Sequence, residues 1–254
     1  MARNGSALPP LVADGFVAVT RWRLQAEGNR LPSVLLNLDR RLQSLRMVAG
    51  LAAFVKNPDS LESVYAVSTS LANSPLATQM VRHLLAKPAM AALVAENWRP
   101  PPLDLDALAQ QPPGSLGHAY AHQLRSLGFT PLQELHPTRT GTPQEYITSR
   151  MRETHDIVHV LTGFGVDPAS ELGLQGFNLA QTRSPLAVML IFGGLLNALK
   201  HDEPIEPLLR ALARGFDLGL QADCVVAQKL EEGWELPLAD WQRQLGLPVE
   251  GDGP

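Results

Sequence analysis

The sequence predicts an all-α protein, a single multi-helix, bundle-like domain, and three observations carry that reading. An oxygen-bearing cap followed by proline recurs where helical periodicity begins, at Ser74-Pro75, Thr142-Pro143, Asp167-Pro168 and Ser184-Pro185. The cap oxygen accepts an orphan N–H, and proline at the first helical position gives up a donor the helix does not use. Gly128, Gly163 and Gly246 stand where such segments should stop. No stretch alternates apolar and polar residues for long, the Val-rich Phe16–Val19 patch included.

Taken in order, helices are expected at about 11–26, 33–56, 60–72, 75–86, 88–97, 115–127, 143–163, 168–181, 185–200, 205–221 and 236–245. Asp59-Ser60-Leu61-Glu62 resembles a capping box ahead of the third, and Thr142-Pro143-Gln144-Glu145 is one ahead of the seventh. The stiff run from Arg99-Pro100-Pro101-Pro102 to Pro112-Pro113-Gly114 reads as non-helical, a seam at about 98–114 between two helical halves. Residues 1–35 read as an N-terminal extension with a first helix, and 36–250 as the helical domain, both halves packing into one unit.

Composition excludes several classes. With 21 Lys+Arg against 25 Asp+Glu the chain is net -4, so no cationic nucleic-acid footprint is expected. One cysteine, Cys224, rules out an internal disulfide framework and a cysteine-rich zinc module; it reads as a small buried hydrophobe. The oiliest run, Pro185 to Leu199, is shorter than the ~17–25 residues of a spanning helix. The N-terminus carries no apolar run of a secretory signal. A cytoplasmic protein, with peripheral membrane association open to it, is the expectation.

One constellation carries chemistry: His155-Asp156-Ile157-Val158-His159, then eleven residues, then Glu171. At ~100° per residue, with His155 at zero, His159 falls at ~40°, Arg152 at ~60°, Gly163 at ~80° and Asp156 at ~100°. Ile147, Ile157, Val158 and Leu161 take the opposite side. A stop near Gly163 and a start at Asp167-Pro168 make a helical hairpin that brings Glu171 back over the His/Asp face. Two imidazoles with carboxylates suit a divalent cation, zinc first, magnesium or iron as alternatives. Individually these residues are ordinary: a solvated Asp, a hydrogen-bonded His pair, a Glu complementing a helix dipole. Arg152 either steers a substrate anion or pairs within its helix with Asp156 or Glu145. A second pair, His118 and His122, has the same spacing but no acid within its turn; His136-Pro137 reads as loop and His201-Asp202 as a helix end. No Rossmann, P-loop or heme-attachment motif indicates an organic cofactor.

The His-Asp-x-x-His pattern with Glu after eleven residues resembles the metal motif of the Coq4 family of ubiquinone-biosynthesis proteins. Pro113-Gly114-Ser115-Leu116-Gly117 with Tyr120, Arg152-Glu153-Thr154, Gln181-Thr182 and Trp234-Glu235 share the likeness, which runs over about residues 40–248. The resemblance implies a mostly helical fold, a homodimer, and metal ligation by His155, Asp156, His159 and Glu171. It implies a prenyl-binding cavity, for which Leu186–Leu199 with Gly193-Gly194 is the candidate lining; ordinary packing or a dimer seam is the alternative. The implied activity is metal-dependent, oxidative C1 decarboxylation of a polyprenylated 4-hydroxybenzoate, with Arg152 at the site. The implied partners are other quinone-biosynthesis enzymes. A non-catalytic scaffold that holds prenyl lipids and those enzymes is the runner-up. A metal hydrolase ranks third, because zincin proteases need Glu after the first His and Asp156 stands there.

Overall fold

The structure, a computed structural model, describes residues 74–128 and 141–249 with Ser68, Leu71 and Ala72. These belong to one compact unit, Gln43–Pro254. The helices expected at 11–26 and 33–56, most of that at 60–72, the 1–35 extension and His136-Pro137 lie outside the described residues.

The helices are α1 (Pro75–Leu85), α2 (Pro88–Glu96), α3 (Leu105–Ala109), α4 (Leu116–Leu127), α5 (Pro143–Glu153), α6 (His155–Thr162), α7 (Pro168–Thr182), α8 (Pro185–Lys200), α9 (Glu206–Gln221) and α10 (Leu238–Gln244). Two 3-10 turns, Val225–Ala227 and Leu230–Glu232, lie between α9 and α10. Among the described residues there is no strand, only one isolated bridge between Ser115 and Pro237.

Local chemistry sets most of the starts. The Ser74, Thr142, Asp167 and Ser184 side chains each accept a backbone N–H of the first turn, with proline behind them. Glu145 completes the box by accepting from the Thr142 N–H at 3.0 Å. The first N–H groups of α4 go elsewhere: Leu116 donates to the Leu236 carbonyl and Gly117 to that of Trp234, at 2.9 and 2.8 Å. A C-terminal segment thereby straps the start of α4.

Two expectations need correction. The proline-rich seam is not wholly non-helical, because Asp104 accepts from Asp106 N and Ala107 N and starts the short α3. The helix expected over 143–163 is two helices, α5 and α6, parted at Thr154 (φ -90, ψ -7). The buried Thr154 hydroxyl donates to the Arg150 carbonyl at 2.8 Å and shares that acceptor with its own N–H at 3.0 Å.

One apolar core joins α4, α6, α7 and the C-terminal turns around Tyr120, Ile157, Leu161, Phe177 and Leu230. A second, around Met80, Leu84, Met90, Trp98 and Ile147, joins α1, α2 and α5. Each fully buried Leu or Phe side chain contributes about 1.5–3 kcal/mol over its exposed state. The closest helix pair is α7 on α9, where the backbones nearly touch. A Cβ at Gly215 would overlap the Gly173 carbonyl, and one at Gly219 would come within 2.6 Å of the Phe177 carbonyl. Small residues on both helices permit that approach. Gln181 then locks the end of the pair, donating to the Gly219 and Ala222 carbonyls and accepting from Val225 N.

Candidate metal centre

α6 carries His155 and His159 one turn apart and ends at Gly163, whose φ of 69 is comfortable for glycine and costly for residues with a Cβ. Asp167 caps α7 a few residues later and places Glu171 in its first turn. The reversal returns the carboxylate to the imidazoles. His159 Nε2 lies 3.3 Å from His155 Nε2 and 3.3 Å from Glu171 Oε1. One ligating atom from each of the three lies within 4.8 Å of the others.

The tautomer of His159 follows from its other nitrogen. Nδ1 is 3.1 Å from the Phe164 carbonyl. A carbonyl only accepts, so Nδ1 carries the hydrogen and Nε2 faces its two neighbours. Burial pulls the His159 imidazole down, but the Glu171 carboxylate, then the Phe164 carbonyl and the charge of Asp156, outweigh it and hold it above its ordinary value. Burial, with the charge of His159, pushes His155 below its ordinary value, which the Glu171 and Asp156 carboxylates only partly offset. Glu171 is pushed up by burial but ends below its ordinary value, held there by the His159 hydrogen bond and both imidazoles. Two lone pairs and a carboxylate oxygen aimed at one point repel unless a proton or a cation lies between them. The residues therefore fit a divalent cation: two imidazole nitrogens, one carboxylate, and a ring N–H anchored on a carbonyl.

Asp156, expected as a fourth ligand, is not among the converging groups. It lies further round α6 than the histidines, half-buried, and acts on both imidazoles through its charge. Arg152 stands before the break at Thr154, so one continuous stripe no longer joins it to the histidines. Its Nη2 donates to Ser149 Oγ at 3.3 Å, while its buried Nε has no hydrogen-bond partner. The His118 and His122 rings stack with centroids 6.3 Å apart, away from any acidic cluster that could complete a cation site among the described residues. The Cys224 thiol is pushed up by burial and packs against the second core, and His201 caps the end of α8.

Sequence reasoning passed over a neighbouring cluster. Arg150, about 1% exposed, donates to both oxygens of Glu231 at 2.6 and 3.0 Å, to Glu153 at 3.3 Å and to the Gln228 carbonyl at 2.9 Å. Trp98 covers it, 5.0 Å from the guanidinium. An Arg and a Glu at i, i+3 signalled part of this, but the decisive partner lies 81 residues away.

Fold and site together define a class: an all-helical protein with His-x-x-x-His on one helix and a carboxylate returned from the next. A family profile for the coenzyme Q (ubiquinone) biosynthesis protein Coq4 matches residues 36–250, and the chain belongs to that family. It is 31% identical over 155 residues to the mitochondrial ubiquinone biosynthesis protein of Coprinopsis cinerea, covering 60% of this chain and 51% of that one. It is 32% identical over 149 residues to the Bos taurus homologue, covering 57% and 55%. The chain thus spans about half the length of the curated relatives it matches. A crystal structure from Nostoc punctiforme, of a protein provisionally assigned to ubiquinone biosynthesis, superposes with a TM-score of 0.73 at 28% identity, covering 81% of this chain and 99% of that one.

Proposed function

We propose that this Coq4 protein is an enzyme of quinone synthesis that removes the C1 carboxyl of a polyprenylated 4-hydroxybenzoate in a metal-dependent, oxidative reaction. The observation that carries the reading is the convergence of His155 Nε2, His159 Nε2 and Glu171 Oε1 on one point, with His159 held by Phe164. His155, His159 and Glu171 would hold the ion, zinc first, with iron or magnesium as alternatives. A bound cation there supplies Lewis-acid stabilisation for the ring carboxylate or phenolate while the C1–carboxyl bond breaks. Replacing carboxylate by hydroxyl at C1 releases carbon dioxide and removes two electrons, so the balanced step takes the hydroxyl oxygen from water and passes the electron pair to dioxygen, which leaves as hydrogen peroxide.

The chain's own residues have separate tasks. Phe164 fixes the His159 ring, and Asp156 biases both imidazoles through its charge. Arg152, beyond the break at Thr154, would meet the substrate carboxylate through its outer guanidinium nitrogens, since its Nε is shut away from solvent. Purified protein loaded in turn with zinc, magnesium and iron, given a prenylated hydroxybenzoate and dioxygen, should yield the C1-hydroxylated product and carbon dioxide. His159→Ala should abolish it. Absence of turnover with every metal overturns the enzymatic reading.

A second reading, a scaffold for prenyl lipid and other quinone-biosynthesis enzymes, draws on α8, where Val188, Phe192 and Leu199 are exposed. Among the described residues no helix is long and apolar enough to cross a membrane. Part of the glycine pair is already used for packing, because a Cβ at Gly194 would come within 2.7 Å of Leu172 of α7. Copurified polyprenyl lipid, with cellular quinone levels indifferent to His159→Ala, would favour the scaffold over the enzyme.

A further inference from the structure

We infer that Arg214, on α9 and outside the converging triad, is a positioning residue for the candidate metal centre, acting through Phe164. The inference rests on the metal reading above, and it names how the third element of the fold tunes that site.

The geometry links Arg214, Phe164 and His159 in series. The Phe164 carbonyl is the acceptor that fixes the His159 tautomer. Its ring is gripped from two sides. On one, the ring edge occupies the space a Cβ at Gly173 would need, so only glycine there admits it. On the other, the Arg214 guanidinium lies over the ring face, 4.7 Å from the centroid. The same guanidinium donates to the Thr162 carbonyl at 3.4 Å, one of the orphan acceptors at the end of α6. Arg214 therefore holds both ends of the Thr162–Phe164 turn, the turn whose middle residue is Gly163 with positive φ. A planar cation does both tasks at once: it stacks on an aromatic face and sends an N–H sideways to a carbonyl. Lysine, a point charge without a plane, does one or the other.

Groups that orient a ligating histidine through its second nitrogen change metal affinity by about 10–100-fold when removed. Arg214 acts one step further out, so the lower end of that range is expected.

The test measures two things on the full chain: zinc affinity by competition with a chromophoric chelator, and the His159 Nδ1 proton by NMR of histidine-labelled protein. Arg214→Met should weaken zinc binding by about tenfold and broaden or shift the Nδ1 proton, with Arg214→Lys recovering only part. Phe164→Leu approaches the same turn from the other side and decides the matter if Arg214→Met does not fold. The double variant should lose less zinc affinity than the two single losses combined, because both changes release the Phe164 end of the turn and only Arg214→Met also frees the Thr162 carbonyl. Arg210→Met, on the same helix, serves as control and should leave both readouts unchanged. Unaltered zinc affinity and Nδ1 signal in Arg214→Met, or additive losses in the double variant, overturn the inference. If the starting protein takes up no zinc while the Nδ1 proton still answers to Arg214→Met, the metal reading fails and the positioning role stands.

Discussion

Two clusters of charged and titratable groups draw on the consecutive helices α5 and α6, and they are built on opposite plans. Around Arg150, one guanidinium meets two carboxylates and a carbonyl, and Trp98 closes over it. Around His159, two imidazole nitrogens and a carboxylate oxygen face one another with nothing of opposite sign from the protein among the converging atoms. The first arrangement matches its opposite charges within the protein, although the Arg150 Nε is left without a hydrogen-bond partner. The second needs a proton or a metal ion for that match. The difference teaches how to sort buried polar clusters: opposite charges matched within the protein mark a brace, and like-tempered groups turned on each other mark a site.

The largest test breaks the brace. Arg150→Met strands Glu231 in the interior, and removing one partner of a buried ion pair costs about 3–5 kcal/mol. Chemical denaturation should show that loss, while zinc affinity of the folded fraction stays within a few-fold of the starting protein. Loss of metal affinity in proportion to stability would merge the two clusters into one.

The next test opens the site and leaves the brace alone. At zinc about 100-fold above its dissociation constant, binding should raise stability by about 2.7 kcal/mol. Glu171→Gln should erase that increment, whereas Asp156→Asn, outside the converging set, should leave most of it. Equal losses in the two variants would restore Asp156 as a ligand. Gly215→Ala should cost about 1–3 kcal/mol, because its Cβ meets the Gly173 carbonyl where helix backbones abut. The same shift should weaken zinc binding, since α7 carries Glu171.

The smallest effect is in pH. His159 is held above its ordinary value near 6.5, so in protein stripped of metal its pairing with Glu171 stabilises fully below that value. That contribution fades as pH rises through the raised value. Glu171, held low, adds stability that is present above its ordinary carboxylate value and lost as pH falls through the depressed one. Zinc needs His159 without the Nε2 proton, so the gap between loaded and stripped melting temperatures should widen from about pH 6 to about pH 8. A gap independent of pH would mean that His159 does not compete with a proton for the ion.

Much of this was legible locally. The four cap-proline pairs, the glycine stops and the His-x-x-x-His…Glu spacing involve residues within a turn or a hairpin of one another. Thr154 shows where local reading failed: α5 gives way to α6 there, and no break in apolar periodicity marks it. Arg150 with Glu231, and Gly173 with Gly215, were illegible because each needs two distant segments in register.

By itself, then, the sequence determined that the chain is helical, where most described helices begin, and which two histidines and which glutamate can meet, since hydrogen bonds across a turn or a short hairpin depend on neighbours alone. Only the tertiary structure decided that Asp156 stands aside, that Arg150 is a buried brace, and that α9 lies close enough for Arg214 to grip Phe164. The Arg150 brace needs segments 81 residues apart in register, and the grip on Phe164 needs the close approach of α7 and α9 that Gly173 and Gly215 permit.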